Sequence, residues 1–190
     1  MDIQIRKTFL PGCLLIRLPA VNDKRGTFVK IFHAEAFKRK KLETYFPEEY
    51  YSFSYKRVIR GLHFQVPPYE HTKLVCCING IIFDAIVDLR KGSPTFNQYM
   101  TFILKGDDPN LLFIPPGLAH GFLVQSEYAI MLYKVSSQYS PMHDRGILWN
   151  SVRIPWPVTS PIVSERDQSF PELMNFKTPF VFKQEKTTTT

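Results

Sequence analysis

Lys73-Leu-Val-Cys-Cys-Ile-Asn-Gly80-Ile-Ile-Phe-Asp-Ala-Ile-Val-Asp88 is the stretch whose reading decides the class of fold. Two apolar runs flank Asn79-Gly80, the dipeptide preferred in a two-residue β-turn. The stretch reads as a hairpin whose register sets Ile78 against Ile81, Val75 against Asp84 and Lys73 against Ile86. Lys73, Asp84 and Asp88 then share one face. A carboxylate turned inward on so apolar a strand needs a partner, and Lys73 is the expected one. The pairing reads either as part of a site or as a charge pair that closes a barrel end.

Outward from the hairpin, the pattern repeats. Val58 to Gln65 is a strand ended by Val66-Pro67-Pro68, and Tyr50 to Lys56 alternates aromatic and polar residues like a two-faced strand. Downstream, Tyr99 to Leu104, Leu111 to Ile114, His120 to Gln125 and Tyr128 to Ser136 are short strands. Lys91-Gly-Ser-Pro94, Gly106-Asp-Asp-Pro109 and Pro115-Pro-Gly117 punctuate them. Strands so spaced indicate an all-β protein, an antiparallel barrel or double-sheet roll. Cys13 to Leu18 is a further strand, Asn22 to Gly26 a turn, and Thr27 to Phe32 extended. Ala34 to Leu42, free of Gly and Pro, is a short helix. Past Trp149 the prolines at 155, 157 and 161 predict irregular chain with one short helix, wrapped on the barrel. Positions 1–182 are expected to form one domain and 183–190 a polar, frayed tail.

Composition narrows the partners. The 190 residues carry 24 Lys+Arg against 17 Asp+Glu, a formal net charge of +7, which favours anionic small molecules such as nucleotides or phosphates. The basic residues are scattered, with no arginine-rich arm or nucleic-acid motif, so nucleic acid is not the expected partner. No apolar run approaches the ~20 residues of a membrane helix, and no signal peptide is read at the start. Three cysteines are an odd set; adjacent Cys76 and Cys77 point to opposite faces of a strand and read as core residues in a reducing cytoplasm.

The chemistry concentrates in Arg60-Gly-Leu-His63-Phe-Gln65 and Lys73. An imidazole takes a proton near neutral pH, and an amine stabilises an oxyanion. Together they point to proton abstraction beside a carbonyl of an anionic substrate. Arg60 and His63 lie an odd number of residues apart, so on a regular strand they face opposite sides. If both serve one site the strand bulges, most easily at Gly61. His63 otherwise reads as a satisfied core histidine. His120, after the rigid turn at Pro115-Pro-Gly117, suits a residue opening a strand into a barrel mouth. One histidine from each of two strands is too few for a metal, so no metal and no cofactor are expected. Tyr133 reads as packing or as a proton donor. Asp167 reads as a helix-start residue beside Ser164 or as a carboxylate orienting a histidine.

These blocks, with Asp23-Lys-Arg25-Gly26, Phe83-Asp-Ala-Ile-Val-Asp88, Ser93-Pro-Thr-Phe96, Ile114-Pro-Pro-Gly-Leu-Ala-His120-Gly-Phe122, Tyr133-Lys134, Gly146-Ile-Leu-Trp-Asn150 and Trp156-Pro157, follow one another in a single order. In that order the chain resembles the nucleotide-sugar 3,5-epimerases, from about Leu14 to Asp167. The resemblance implies a cupin-type jelly roll, no metal, and a homodimer exchanging strands near the N-terminus. It implies inversion of C3, C5 or both on a nucleotide-diphosphate-linked 4-keto-6-deoxy hexose, for deoxysugar and polysaccharide biosynthesis. In the matching positions His63 is the base, Asp167 its charge partner, Lys73 the enolate stabiliser and Tyr133 the acid on the far face. Arg25, Arg60, Lys73, His120, Asp144 and Arg166 match substrate-contacting positions. The chain departs from the usual pattern at Lys30, at Glu48-Glu49-Tyr50 and at Arg166, all near the nucleotide, so the base is open between thymine, cytosine and guanine. A non-catalytic sugar-binding cupin is the alternative from another class.

Overall fold

A computed structural model describes residues 2–183; apart from Lys183, the tail expected over 183–190 lies outside the described residues. The strands, in chain order, begin with β1 (Gln4–Lys7), β2 (Leu14–Arg17), β3 (Ala20–Asp23) and β4 (Gly26–Val29). After helix α1 (Ala34–Arg39) come β5 (Glu48–Tyr55), β6 (Ile59–Gln65), β7 (Lys73–Asn79) and β8 (Ile81–Asp88). Then follow β9 (Tyr99–Lys105), β10 (Asn110–Ile114), β11 (Leu118–Val124), β12 (Tyr128–Val135) and β13 (Asp144–Gly146), with α2 at Glu165–Gln168. One sheet has the order β1-β2-β10-β7-β12-β5 and the other β13-β6-β11-β8-β9, with β3 and β4 forming a separate hairpin. Among the described residues every pair of these strands is antiparallel. This is the cupin-type jelly roll: two sheets rolled face to face over an apolar interior.

The interior draws on both sheets: Val75, Leu112, Met131 and Tyr133 from the first meet Ile86, Phe122 and Val124 from the second. Alternation then sends the intervening residues to the outer faces. Leu74, Cys76 and Leu111 are covered by Phe37 of α1, with Phe32 and Phe46 packed alongside. Leu62, Phe64, Ala85, Val87 and Ala119 are covered by Val152, Ile154 and Phe180, so the proline-rich C-terminal segment does wrap the barrel. Cys76 and Cys77 sit in different clusters on opposite faces of β7, as the period-two argument requires.

The central hairpin is corrected by the structure. β7 and β8 are not paired; β7 lies between β10 and β12, and β8 between β11 and β9, in the other sheet. Asn79-Gly80 is a corner at which the chain changes sheets, with Gly80 at φ +85°. A Cβ on Gly80 would stand 2.2 Å from the carbonyl oxygen of Tyr128, so only glycine passes there. Asn79-Gly80 does turn the chain, but not as a hairpin: strands buried on both faces pair wherever the two layers close, and local sequence does not encode which. The expected partnership of Lys73 with the two acids falls with the register. Asp88 instead accepts from Arg90 Nη2 at 2.8 Å, Ser93 Oγ at 2.6 Å and Thr95 Oγ1 at 2.7 Å. Burial alone would raise its pKa; these donors outweigh burial and hold it below the ordinary carboxylate value. Asp84 is taken by His120 at 2.7 Å. Strands β1 and β13 have no counterpart in the sequence reading, because three or four mostly polar residues carry no periodicity.

Candidate active site

β6 carries the first group of site residues. Across the pair with β11, His63 faces His120 and Arg60 faces Phe122, so three steps on β6 match two on β11. The extra residue is a bulge at Gly61-Leu62. Gly61 has φ +127°, and a Cβ there would stand 2.5 Å from Gly121 Cα. Two glycine backbones in contact are what lets Arg60 and His63, three residues apart, line the same cavity. The bulge anticipated from parity is therefore present at the anticipated glycine.

The cavity holds about 380 Å³ and opens between the two sheets. Arg60, His63 and His120 enter from β6 and β11, Lys73 and Tyr133 from β7 and β12, and Asp144 and Arg166 close one side. A larger hollow of about 670 Å³, rimmed by Pro11, Pro67, Pro115 and Pro116, contains none of the predicted reactive side chains. Convergent ionisable groups, not size, single out the smaller one.

His63 is held by Asp167, whose Oδ1 lies 2.8 Å from His63 Nε2. Asp167 is placed by α2: Ser164 caps the helix by accepting from the Asp167 backbone N–H, and Asp167 Oδ2 accepts from Gly61 N–H at 3.0 Å. Ser164 thus makes the helix start, and Asp167 is the residue it sets against the His63 ring. A carboxylate only accepts, so Nε2 carries the proton and Nδ1 keeps the free lone pair. Burial lowers the imidazole pKa more than the Asp167 carboxylate raises it, so His63 is neutral at pH 7 and able to act as a base. For Asp167 burial would raise the pKa, but the bonds from His63 and Gly61 prevail and keep it ionised.

Lys73 is buried, and its Nζ donates to the His63 carbonyl at 3.0 Å. Burial brings its pKa down to about 8, against which Asp144 and Asp84 pull upward. Tyr133 stacks on Tyr50 with centroids 4.8 Å apart, and its hydroxyl lies 3.3 Å from Ser52 Oγ. Burial drives the phenol pKa far up, so Tyr133 stays protonated, the state a proton donor needs. Arg60 is aimed by Ser54, which accepts from its Nε at 2.8 Å, and Arg166 is paired with Asp144.

Two expectations change here. His120 does not open its strand; it lies inside β11, buried, with Asp84 behind it. Arg25 lies on the β3–β4 hairpin, paired with Asp23 at 2.6 Å, its side chain 84% exposed, and it is not among the described residues that line the cavity. Glu48 and Tyr50, which the resemblance sets near the nucleotide, do line the cavity, joined by Ser52, His71 and Tyr139, which the sequence does not single out. Glu48, Tyr50 and Ser52 are alternate residues of β5, opposite Val135, Tyr133 and Met131 of β12. Among the described residues no three His, Cys, Asp or Glu side chains cluster as metal ligands, and no helix is long and apolar enough to cross a membrane.

The family model for dTDP-4-dehydrorhamnose 3,5-epimerase matches residues 7–175. The chain belongs to that family. It is 41% identical over 170 residues to the dTDP-4-dehydrorhamnose 3,5-epimerase of Shigella flexneri, covering 87% of this chain and 93% of that one. Among solved structures, the enzyme of Bacillus anthracis, crystallised with TDP and pyrophosphate, superposes with a TM-score of 0.87 at 39% identity, over 90% of this chain and 100% of that one. The epimerase of Legionella pneumophila, in complex with dTDP-4-keto-L-rhamnose, gives 0.87 at 32% identity, over 92% and 94%.

Proposed function

We propose that this epimerase acts on a dTDP-linked 4-keto-6-deoxy hexose, with His63 as base, Asp167 as its charge partner, Lys73 as enolate stabiliser and Tyr133 as acid. The observation that carries the reading is the disposition of two protonation states about one cavity: a neutral imidazole backed by a carboxylate, and a protonated phenol on the other sheet. His63 Nδ1 removes the proton from the carbon beside the ketone, and the electron pair moves onto O4. The Lys73 ammonium offsets the charge there, a contribution of about 3–4 kcal/mol if it matches other oxyanion donors. Tyr133 returns a proton from the opposite side. The resulting imidazolium and phenolate then re-equilibrate with water, so no net proton is consumed. Arg60 and Arg166 supply the cationic contacts for the diphosphate, and His120 and Asp144 further substrate contacts.

The named relatives work on dTDP sugars, which supports thymine over cytosine or guanine. Arg25 goes with a homodimer exchanging N-terminal segments, in which the β3–β4 hairpin reaches a partner's cavity. Support for this comes from the exposure of Val21 and Phe28 on that hairpin and of Tyr51, Phe53 and Tyr55 along the edge strand β5. Three free, buried cysteines fit action in the cytoplasm. The test is incubation with dTDP-, CDP- and GDP-linked 4-keto-6-deoxy sugars in D2O, following deuterium at C3 and C5 by NMR. Exchange with the dTDP sugar is expected, and no exchange with any of the three would overturn the reading. Tyr133→Phe is expected to keep wash-in measurable while inversion drops.

A further inference from the structure

Tyr133 is buried in the cavity, and two of the residues that bound its phenol come from the edge strand β5. Tyr50 faces Tyr133 directly across the β5–β12 pair, and their rings lie 17° from parallel. Ser52, two residues along the same face of β5, reaches the phenol oxygen at 3.3 Å. The imidazole of His120 meets the Tyr133 ring edge-on at 6.4 Å. The phenol is thus bounded by a ring face, a ring edge and a hydroxyl. Two of the three bounds are supplied by residues four apart from Glu48 on the cavity face, Ser52, and two apart, Tyr50.

A phenol in free rotation would reach the sugar from several directions, and a misplacement of about 1 Å at a reacting group costs on the order of 100-fold. Stacking restricts the ring to the plane set by its neighbour, while Ser52 limits where the oxygen lies in that plane. Tyr50 itself is half-exposed at the mouth and has no hydrogen bond to the phenol oxygen, so its contact with Tyr133 is made by the ring, not by its hydroxyl.

We propose that Tyr50 is a positioning residue for the reaction: its ring fixes the Tyr133 phenol for delivery of the proton to the face opposite His63. The inference rests on the epimerase reading above. It makes a demand that general structural support does not make. Proton removal by His63 is independent of where the phenol lies, whereas inversion is not. Loss of the Tyr50 ring must therefore change the ratio of inversion to deuterium wash-in.

The experiment compares wild type, Tyr50→Leu and Tyr50→Phe on the dTDP-linked 4-keto-6-deoxy sugar in D2O, with wash-in and inversion measured in the same sample. Tyr50→Leu keeps an apolar side chain on the strand and removes the ring. Inversion is expected to fall about tenfold or more relative to wash-in in Tyr50→Leu. The ring-retaining Tyr50→Phe is expected to restore the wild-type ratio. Tyr50→Ala is a second ring deletion, used if the leucine variant does not fold. Equal loss of wash-in and inversion, or no change in their ratio, would overturn the proposal, as would a Phe variant that behaves like Leu. Absence of wash-in from the wild type would instead remove the epimerase reading itself, so the two failures are distinct.

Discussion

Replacing Asp167 by Asn tests the dyad at the atom level, because the side chain has two commitments that an amide cannot meet in the same way. Asp167 Oδ1 accepts from His63 Nε2 at 2.8 Å and Oδ2 accepts from Gly61 N–H at 3.0 Å. An asparagine has one accepting oxygen. If that oxygen stays on His63, the amide NH2 is pointed at the Gly61 N–H, donor against donor. The favoured arrangement turns the oxygen to Gly61 and the NH2 to His63 Nε2. The imidazole must then protonate at Nδ1, the nitrogen that serves as base. Loss of the charged bond to the imidazolium costs about 1.5–3 kcal/mol, roughly 10- to 150-fold in rate. The wrong tautomer carries the loss toward the ~10⁴ known for the equivalent change in serine-protease triads. Deuterium wash-in at the carbon beside the ketone, measured at saturating substrate, reads this step directly. A loss of less than about fivefold would refute the argument. The acid side of the pH profile gives an independent check. As the proposed base His63 works unprotonated, and burial holds its pKa below that of a free imidazole, so activity should fall as pH drops through that lowered pKa. Without the carboxylate that raises it, the same limb moves to lower pH.

Lys73→Met should lower kcat by about 10²–10³ with a smaller effect on KM, if the ammonium stabilises charge that develops only after proton removal. In the wild type the ammonium is lost as pH rises through about 8, so wash-in should decline on the alkaline side there and the decline should vanish in the variant. Gly61→Ala puts a Cβ 2.5 Å from the Gly121 backbone at a φ of +127°; destabilisation of about 2–4 kcal/mol is expected by denaturant titration, together with loss of activity as the bulge reshapes.

Much of this site was legible because its reasons are local. Parity along Val58 to Gln65 required a bulge for Arg60 and His63 to meet, and Gly61 was the residue able to make it. The Ser164 segment announced a helix start, and capping by Ser164 is what presents Asp167. What sequence could not convey is pairing at a distance. Asn79-Gly80 has the same appearance in a hairpin as in a corner between layers, and only the closing of the roll decides between them. The partners of Asp84 and Asp88 were misassigned for that reason: His120 is brought by β11, and the donors to Asp88 by the turn that follows β8. Ser52 lies on the same face as Tyr50, but β5 acquires a cavity face only through its alignment with β12, so its place in the site is not legible locally.

The corner at Gly80 has a further consequence. By sending β7 and β8 into separate layers, it sets His63, the proposed base, in one wall of the roll and Tyr133, the proposed acid, in the other. Under the proposed function the gap between the walls is a caliper for a hexose ring, and the packed layer of Val75, Ile86, Met131 and Phe122 sets how far apart the walls stand. On that assignment stereochemical outcome depends on the thickness of an oily interlayer, and side chains with no chemistry of their own share in deciding which hand of sugar leaves.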